Sequence, residues 1–412
     1  MSTIRNPDLK GAGHAKLDWV RARMPVLAAI RKRYLQDHPF RGQRVAISLH
    51  LEAKTAVLAE LLHLGGADVS VTSSNPLTAQ DDVAAALDET GVEVHALAGA
   101  SSEEFDTLHQ RVLNIKPTLI VDDGGELTDR LHEGRSSLAA EVLGGAEETT
   151  TGITRLKALA QSGKLRYPMI AVNDADMKHL FDNRYGTGQS TWDAIMRTTN
   201  VVVAGKTVVV AGYGWCGKGV AERARGLGAR VIVTEVNAVR ANEAWMDGHQ
   251  VMSMDQAAGL GDIFITVTGN RDVIGRRHFA QMRDGAILAN AGHFDVEIDV
   301  RALKSEALET LKGRTPAIVG YRWPSGPRLW LLAEGRLVNL AAGDGHPVEI
   351  MDLTFGLQAL ALEHLLSAKP KPPGVYPVPV EVDNWVAQIR LEALNLRIDT
   401  LSAEQVEYLA SF

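Results

Sequence analysis

A base, an acid and a cation crowd one short junction early in this chain. The segment "RVAISLHLEAKTA" passes from an apolar run into a helical pattern, with His50, Glu52 and Lys54 at the junction. An apolar run followed by a helical period predicts a buried strand that leads into a helix. Ligand clefts in open α/β sheets form at the carboxyl ends of strands, so these three side chains are candidates for substrate binding or proton transfer.

The segment "VVVAGYGWCGKG" has the spacing of a dinucleotide-binding turn. Gly212, Gly214 and Gly217 form G-x-G-x-x-G directly after an apolar strand pattern and directly before a helical pattern. Glycines there allow a tight turn and the approach of a pyrophosphate to the helix N-terminus, although a structural turn is the alternative. Glu235 ends the next strand pattern and could accept from ribose hydroxyls, which favours NAD over NADP. Arg230 and Arg240 nearby leave that preference open.

Two pairs of charged residues could supply the proton transfer that hydride chemistry with NAD requires. In "NDADMKHLFDN", Lys178 and Asp182 lie four apart and share one face of a predicted helix. In "IVDDGGELT", Asp122 and Asp123 end a predicted strand. An exposed ion pair is the alternative for the first pair, and an Asx turn before the glycines is the alternative for the second.

Further acids, hydroxyls and histidines follow other predicted strands and turns. The segment "GGAEETTTG" offers Glu147 and Glu148 ahead of three threonines, although a capped helix start explains the same pattern. His293 follows a strand pattern in "NAGHFD" and His346 follows a glycine turn in "GDGHP", and each could equally be structural. No H-x-x-x-H or C-x-x-C spacing is present, so we expect no metal site.

The composition is that of an ordinary soluble globular chain. Its 412 residues are enough for two or three domains, with 45% hydrophobic and 23% charged residues. A formal net charge of -7 gives no general attraction to nucleic acid or anionic membranes. The single cysteine, Cys216, fits a reducing compartment, and neither a signal-peptide core nor a membrane-spanning apolar run occurs. We therefore expect a cytoplasmic protein without nucleic-acid or membrane partners.

Short apolar runs alternate with helical patterns along most of the chain. Continuous apolar runs followed by helices indicate parallel strands covered on both faces, which predicts an α/β fold with two doubly wound, Rossmann-like sheets. Segments 181–191 and 341–352 are candidate crossovers between domains, and "AKPKPPGVYPVP" is predicted to be an extended connector. Ser402 and Gln405 have capping-box spacing and predict a small helical tail. Strands are predicted at "RVAISL", "ADVSVTSS", "TLIVDDGG", "MIAVND", "KTVVVAGYG", "ARVIVTEV", "DIFITVTG", "GAILANAG" and "RLVNLAAG".

Seven segments, taken in chain order, resemble S-adenosylhomocysteine hydrolase. The resemblance extends from "MPVLAAIRKRY" to "EQVEYL". It implies a substrate-binding domain at residues 1–183 and 346–385, an NAD-binding Rossmann domain at 184–345, and an oligomerisation tail at 386–412. The two candidate crossovers then coincide with the family's hinges, which close the protein on its substrate. The segments are "DDGGELT", "EETTTG", "FDNRYG", "VVAGYGWCGKG", "GARVIVTEV", "NAGHFDVEID" and "LLAEGRLVNLAAGDGHP".

The resemblance implies a reversible reaction in which NAD stays bound through each turnover. In that family, the 3′ carbon of the ribose is oxidised, and the resulting ketone acidifies the proton on C4′. Homocysteine then leaves C5′, water adds in its place, and the ketone is reduced again. S-adenosyl-L-homocysteine is thus converted to adenosine and L-homocysteine.

Residue roles follow from the positions that match the family's motifs. Lys178 and Asp182 match the pair that handles the 3′-hydroxyl proton, and NAD⁺ and other cations beside the lysine are expected to lower its pKa, so that it acts as the base. Asp123 matches the residue beside C4′ and C5′, His50 matches the histidine that serves sulfur and water, and Glu148 matches the acid that binds the ribose hydroxyls. Substrate contacts are further expected at Glu52, Lys54, Thr55, His293 and His346. Cofactor contacts are expected at Thr149, Thr150, Thr151, Asn183, Gly212, Gly214, Trp215, Cys216, Gly217, Lys218, Gly219, Glu235, Arg240, Thr268, Ala291, Gly292, His293 and Asn339.

This chain departs from the better-known family members where they read the purine. Those members carry a threonine and then a glutamate or glutamine where this chain has Glu52 and Lys54. Lysine donates hydrogen bonds and accepts none, so it cannot accept from the 6-amino group of adenine but suits O6 and N7 of a 6-oxo purine. S-inosyl-L-homocysteine is therefore the alternative substrate. The other explanation is that Lys54 pairs with Glu52, or turns aside while backbone groups read adenine.

This chain also departs from the family at residue 187 and at its C-terminal end, and two other functions compete with the hydrolase. Thr187 stands where many members have a cysteine, with modest consequences expected. The chain lacks the lysine- and tyrosine-bearing end that covers a neighbouring subunit's NAD in the family, so we expect looser NAD retention but still a dimer or tetramer. The competing functions are an NADH-releasing dehydrogenase and a non-catalytic NAD-binding regulator. The regulator is disfavoured because every expected catalytic position is filled.

Overall fold

Two sheets with helices on both faces form this protein, and the predicted α/β class is confirmed. A computed structural model describes residues 1–411. Its strands are β1 (Arg44–Leu49), β2 (Asp68–Ser73), β3 (Glu93–Val94), β4 (Leu119–Asp122), β5 (Gly144–Glu147), β6 (Pro168–Ala171), β7 (Thr207–Ala211), β8 (Arg230–Thr234), β9 (Gln250–Val251), β10 (Ile263–Thr266), β11 (Ala286–Asn290), β12 (Glu309–Lys312), β13 (Ile318–Arg322), β14 (Arg328–Leu332) and β15 (Gly374–Pro377).

Helices connect these strands in almost every case. Short 3₁₀ turns occur at Pro7–Leu9, Val172–Asp174 and Ala333–Gly335. The α-helices are α1 (Lys10–Arg21), α2 (Pro25–Asp37), α3 (Ala53–Leu64), α4 (Asp81–Asp88), α5 (Ser102–Leu113), α6 (Glu126–Glu133), α7 (Ser136–Ala139), α8 (Thr150–Gln161), α9 (Asp176–Lys178), α10 (Thr187–Thr199), α11 (Trp215–Gly226), α12 (Ala238–Met246), α13 (Met254–Ala257), α14 (Arg276–Phe279), α15 (Val300–Glu306), α16 (Val338–Ala341), α17 (Val348–Ser367), α18 (Val380–Ala393) and α19 (Ala403–Ala410).

Both sheets have the strand order of a nucleotide-binding fold. The first sheet, in what we call the first lobe, has the order β15-β6-β5-β4-β1-β2-β3 and is parallel throughout. The second sheet, in the second lobe, has the order β12-β13-β14-β11-β10-β7-β8-β9 and is antiparallel where β13 meets its two neighbours. The order reverses between β1 and β4 and between β7 and β10. Ligands bind beyond the carboxyl ends of strands at such points, so each lobe presents one candidate cleft.

Alternate residues of the central strands face two different cores. In β1, Val45 and Ile47 join one apolar cluster, while Ala46 between them joins another. In β7, Val209 likewise faces one cluster and the valines on either side face the opposite one. A strand covered on both faces must be apolar at every position, which explains why the sequence shows continuous apolar runs there.

One predicted strand is wrong, and one connector has more structure than expected. The segment "RLVNLAAG" contains helix α16, and the strand in this region is the preceding β14. Positive φ angles at Ala333, Glu334 and Gly335 turn the chain out of the sheet directly after β14. The proline-rich connector is extended as predicted, but its residues Gly374–Pro377 also pair with β6 as an edge strand.

The chain closes with one packed helix and one exposed helix. Helix α18 crosses the expected boundary between residues 385 and 386, and its Val386 and Ile389 are buried in the core of the first lobe. Helix α19 begins at a capping box made by Ser402 and Gln405, as the spacing predicted. Residue 412, the last of the expected tail, lies outside the described residues. Within residues 1–411, no helix is both long and apolar enough to cross a membrane.

Candidate active site

Polar side chains gather beyond the carboxyl ends of β1, β2 and β4. The Nε2 of His50 lies 3.3 Å from Oδ2 of Asp123, and the hydroxyl of Ser74 donates to the same oxygen at 2.7 Å. The Nδ1 of His50 is 2.9 Å from Oγ1 of Thr78. Burial lowers the pKa of His50 to about 4, so the imidazole is neutral at neutral pH. We call this group the His50–Asp123 cluster.

The adjacent residues Asp122 and Asp123 have different surroundings. Asp122 accepts from backbone amides that follow it, including that of Leu127 at 3.0 Å, and so forms the turn that was the alternative for this pair. At the end of β5, Glu147 accepts from the amide of Gly124 at 2.8 Å. These two inner carboxylates therefore hold the turn, while Asp123 contacts the side chains of the cluster.

A second cluster surrounds the ammonium group of Lys178. Its Nζ donates to Asp182 at 2.8 Å and to Asn183 at 2.8 Å, and lies 3.4 Å from Oε1 of Glu148. Asn173 accepts from the same nitrogen at 3.2 Å. All five side chains are buried, which excludes the exposed ion pair that the spacing also allowed. We call this group the Lys178 cluster.

The spacing of the Lys178 cluster depends on a π-helix. Residues His179–Gly186 form this π-helix between α9 and α10, where the sequence predicted an ordinary helix. A π turn spans one residue more than an α turn. Lys178 can therefore meet both Asp182, four residues ahead, and Asn183, five residues ahead.

The charges in the Lys178 cluster shift one another's protonation. Burial alone would lower the pKa of Lys178, but the carboxylates of Asp182 and Glu148 outweigh it and raise this pKa above its usual value. The side chains around Lys178 are acids, and they shift its pKa in the direction opposite to the lowering expected from NAD⁺ and other cations. Burial raises the pKa of Glu148 to about 7. Asp182 is also buried, yet Lys178 and His346 hold its pKa below the usual range.

Hydrogen bonds continue from the Lys178 cluster into the second lobe. The Nδ1 of His346 hydrogen-bonds to Oδ1 of Asp182, and its Nε2 lies 3.3 Å from the hydroxyl of Thr187. That hydroxyl also donates to the sulfur of Cys216 at 3.5 Å, and burial raises the pKa of the thiol. A methyl group at Gly186 would lie 2.8 Å from the ring of His346, so glycine there lets the histidine approach.

His293 extends from the second lobe to the His50–Asp123 cluster. Its Nδ1 lies 3.9 Å from Oδ1 of Asp123, and its ring centroid is 6.4 Å from that of His50. A methyl group at Gly124 would lie 2.7 Å from its Nε2. The two lobes therefore meet directly over the turn that carries Asp123.

The glycine motif forms a cradle between β7 and α11. Gly212 has a φ of 101°, and a methyl group at Gly217 would lie 2.0 Å from the carbonyl oxygen of Gly212, so both positions require glycine. Gly214 precedes α11 without a side-chain cap, which leaves amide groups at the helix N-terminus for an anion. The first turns of α11 hold Trp215, Cys216, Lys218 and Gly219.

Other expected cofactor contacts lie along the carboxyl ends of neighbouring strands. Glu235 follows β8 and accepts from the amide of Tyr213 at 2.7 Å, so its carboxylate lies beside the glycine turn. Arg240 is exposed, with a guanidinium nitrogen 3.8 Å from where a side chain at Gly214 would begin. Both residues therefore contact the cradle and not the two acid–base clusters. Thr268 follows β10, and Ala291 and Gly292 follow β11.

The threonines of the "EETTTG" segment begin helix α8. Thr149 accepts from the amide of Gly152 at 3.0 Å, which is the capped helix start given as the alternative. Thr150 accepts from Nδ2 of Asn173 at 3.1 Å, and this contact connects it with the Lys178 cluster. Thr151 follows in the first turn of the helix.

The residues of the second lobe fit a bound dinucleotide. The N-terminus of α11 suits a pyrophosphate, and the carboxylate of Glu235 suits ribose hydroxyls. Buried Asn339 donates to Ser190 at 3.0 Å, while its Oδ1 has no hydrogen-bond partner within the described part of the chain. An unpaired buried amide oxygen is costly, and a donor such as the carboxamide of nicotinamide would satisfy it.

Lys54 is bound on two sides. Its Nζ lies 2.9 Å from Oε2 of Glu52 and donates to the carbonyl oxygen of Asp344 at 3.0 Å. The ion pair that was one explanation of this position is therefore present. Asp344 lies two residues before His346, so Lys54 joins the start of α3 to the loop that carries this histidine. Thr55 is buried in the first turn of α3.

Several polar residues in these clusters were missed from the sequence. Ser74, Thr78 and Asn173 follow the ends of β2 and β6, so the same strand-end rule could have found them. Gln358 donates to Oε2 of Glu148 at 2.6 Å from within α17. Its neighbours in the sequence are apolar, and no pattern marks it. Among residues 1–411, no group of histidine, cysteine, aspartate or glutamate side chains has the arrangement of a metal site.

Two Rossmann-type lobes, one with a glycine cradle and the other with buried acids and bases, define an NAD-dependent enzyme. A family model described as "S-adenosyl-L-homocysteine hydrolase, NAD binding domain" matches residues 183–345. A second model, described as "S-adenosyl-L-homocysteine hydrolase", matches residues 2–142. The chain belongs to the S-adenosyl-L-homocysteine hydrolase family, and NAD is its cofactor.

Similar proteins match the chain over almost its full length. The S-inosyl-L-homocysteine hydrolase of Methanopyrus kandleri is 54% identical over 99% of this chain and 97% of its own. The adenosylhomocysteinase of Pyrococcus abyssi is 53% identical over 99% of this chain and 97% of its own. The adenosylhomocysteinase of Thermotoga maritima is 53% identical over 97% of this chain and 99% of its own. Relatives with two different substrate names are thus about equally similar.

The substitution Gly217→Ala tests the cradle. Its methyl group would lie 2.0 Å from the carbonyl oxygen of Gly212, so we expect NAD affinity to fall roughly tenfold to a hundredfold. Titration of cofactor-free protein with NAD measures this. Gly226→Ala is the matched control on the same helix, because nothing lies within 4 Å of its added methyl group. Equal NAD affinities for the two variants would contradict the assignment.

Proposed function

We propose that this protein catalyses the reversible hydrolysis of S-adenosyl-L-homocysteine to adenosine and L-homocysteine. The observation that carries this proposal is the presence of two separate acid–base clusters at the strand ends of the first lobe, around Lys178 and around Asp123. The reaction requires one proton to leave a hydroxyl group and another to leave a carbon atom, so two such clusters are needed. The 53% identical relatives named adenosylhomocysteinase support it.

The Lys178 cluster is assigned to the 3′-hydroxyl group of the ribose. Bound NAD supplies a reversible hydride acceptor for the 3′ carbon. Lys178 takes the hydroxyl proton, Asp182 holds its ammonium group in place, and Glu148 binds the ribose hydroxyls. Because its pKa is raised, Lys178 must first pass on its own proton.

The His50–Asp123 cluster is assigned to the carbon–sulfur bond. Asp123 takes the proton from C4′, the bond between C5′ and sulfur breaks, and its electron pair leaves with the sulfur. The proton then reaches the sulfur through Nε2 of His50, which lies 3.3 Å from Asp123. Neutral His50 next takes a proton from water as the oxygen adds to C5′. His50 passes this proton to Asp123, which returns it to C4′.

Each lobe receives one part of the reaction in this proposal. Residues 1–183 and 346–385 bind substrate, with contacts from Thr55 and His346, and His293 adds a contact from the NAD-binding part. Residues 184–345 bind NAD, and the lobes close by rotation at the two crossovers. Supporting this division, His346 reaches the hydroxyl of Thr187 across the boundary at 3.3 Å, and His293 reaches Asp123 at 3.9 Å. The nicotinamide end of the cofactor is assigned to Thr149, Thr150, Thr151, Asn183 and Asn339.

S-inosyl-L-homocysteine is the second candidate substrate, and Lys54 favours it. Lys54 carries only donors, which match O6 of a 6-oxo purine, and the adjacent Glu52 carboxylate can accept from N1–H of the same ring. The contacts of Nζ with Glu52 at 2.9 Å and with the Asp344 carbonyl at 3.0 Å use two of its three donors, which leaves one for the purine. The 54% identical relative named S-inosyl-L-homocysteine hydrolase adds support.

We further propose that the protein is cytoplasmic and self-associates through its tail. The single cysteine and the absence of charge attraction to membranes support the location. The tail exposes Leu396, Ile398, Leu401, Val406 and Leu409, each with more than half of its surface accessible. An apolar stripe of this length is costly in water, and a second copy of the chain, with the same tail, is the partner that we assign to it.

Homocysteine release from the two S-nucleosylhomocysteines, measured side by side with NAD supplied, tests the proposed function. Release from the adenosyl compound without free NADH is expected, whereas accumulation of free NADH would support a dehydrogenase. Lys54→Gln supplies an acceptor, so it should shift the kcat/KM ratio toward the adenosyl compound by about tenfold. Lys54→Met removes the donors without adding an acceptor and is the control. Failure to cleave either compound would contradict the proposal.

Sedimentation of the full chain tests the tail. We expect a dimer or tetramer for the wild type and a smaller species for Leu409→Asp, because a charge on the apolar stripe opposes its burial. Glu404→Lys on the same helix, which changes charge without touching the apolar stripe, is the control. A monomeric wild type would contradict self-association.

A further inference from the structure

Arg155 of helix α8 touches both lobes, and neither the acid–base clusters nor the cofactor cradle accounts for it. Its NH1 group donates to the carbonyl oxygen of Gly124 at 2.8 Å and to Asp129 at 3.2 Å. Its guanidinium carbon lies 5.1 Å from the ring centroid of Phe294, which belongs to the second lobe. The side chain of Arg155 is 39% exposed, so it lies at the rim of the cleft between the lobes.

The contact with Gly124 reaches a backbone turn that is held in an unusual conformation. Gly124 and Gly125 both have positive φ angles, of 83° and 82°. The turn directly follows Asp123 and therefore sets the direction of its carboxylate. Glu147 holds the amide of Gly124 from below at 2.8 Å, and Arg155 holds its carbonyl oxygen. Both polar groups of this one glycine are thus fixed by side chains.

The contact with Phe294 reaches the loop that closes over the same turn. The ring of Phe294 packs edge to face on His293, with centroids 4.7 Å apart, and His293 lies 3.9 Å from Asp123. A guanidinium group above an aromatic ring is attracted to the ring's electrons, more strongly when water is excluded. Arg155 therefore gains this interaction only when the second lobe lies against the first.

We propose that Arg155 is a positioning residue that couples closure of the lobes to the orientation of Asp123. In the closed arrangement, one guanidinium group holds the Gly124 carbonyl and the Phe294 ring at once. The inference rests on the proposed function, because it concerns the step assigned to Asp123. Arg155 does not contact the reacting atoms, and its effect passes through the turn and the loop.

A double-mutant cycle between Arg155 and Phe294 tests the coupling. Arg155→Met and Phe294→Leu should each lower kcat for homocysteine release by about tenfold, and the double variant should be no slower than the slower single variant. Arg155→Lys keeps the charge but loses the planar stack, so an intermediate kcat is expected. Lys157→Met removes an exposed cation from the same helix and is the control.

Hydrogen exchange of the loop at residues 291–296, with substrate and NAD bound, reports whether the contact between Arg155 and Phe294 holds the loop against the first lobe. We expect faster exchange in both Arg155 variants and an unchanged rate in Lys157→Met. A wild-type kcat in Arg155→Met, or losses that multiply in the double variant, would overturn the inference. A wild-type protein that cleaves neither S-nucleosylhomocysteine would instead refute the proposed function, so the two failures are distinguishable.

Discussion

A charged lysine buried where the two lobes meet is the interaction on which the rest of the site depends. Lys178 is 4% exposed, and an unpaired ammonium group in such a place would cost several kcal/mol. Asp182 and Glu148 supply the opposite charge at 2.8 Å and 3.4 Å. Asp182 in turn forms a hydrogen bond with His346. Asp182 precedes the second lobe in the sequence, and His346 follows it. The pairing of one charge therefore ties both crossovers to the same point.

The chain returns to the first lobe after it has formed the second lobe. The second lobe lies between two parts of the first, and the returning segment completes the first lobe from the inside. Within it, Gln358 reaches Glu148 at 2.6 Å, and Asp352 accepts from the amides of Val26 and Leu27 at 2.9 Å each. The helix α17 that carries both is thus part of the core and of the site. A chain cut after the second lobe would leave Glu148 without this neighbour.

Features that depend on local spacing could be predicted from the sequence, and features that depend on burial could not. The glycine motif marks its own turn, because Gly212 and Gly217 have no room for a side chain. Asp123 could be predicted as a site residue because it directly follows a predicted strand, where ligand clefts form. The raised pKa of Lys178 could not be predicted, because it depends in part on Glu148, a distant acid that only the fold brings near. No sequence pattern predicted the π-helix that aligns Asp182. The strand predicted near residue 338 is absent, because a turn with positive φ angles ends β14 before it.

The central claim is that the two clusters handle two different protons, and single-turnover experiments on two variants test it most directly. Enzyme-bound NADH and released homocysteine would be followed together after mixing substrate with Lys178→Met or Asp123→Asn protein. The account predicts that Lys178→Met forms neither, whereas Asp123→Asn forms bound NADH and releases no homocysteine. Bound NADH at the wild-type rate in Lys178→Met, or loss of both signals in Asp123→Asn, would contradict the division of labour.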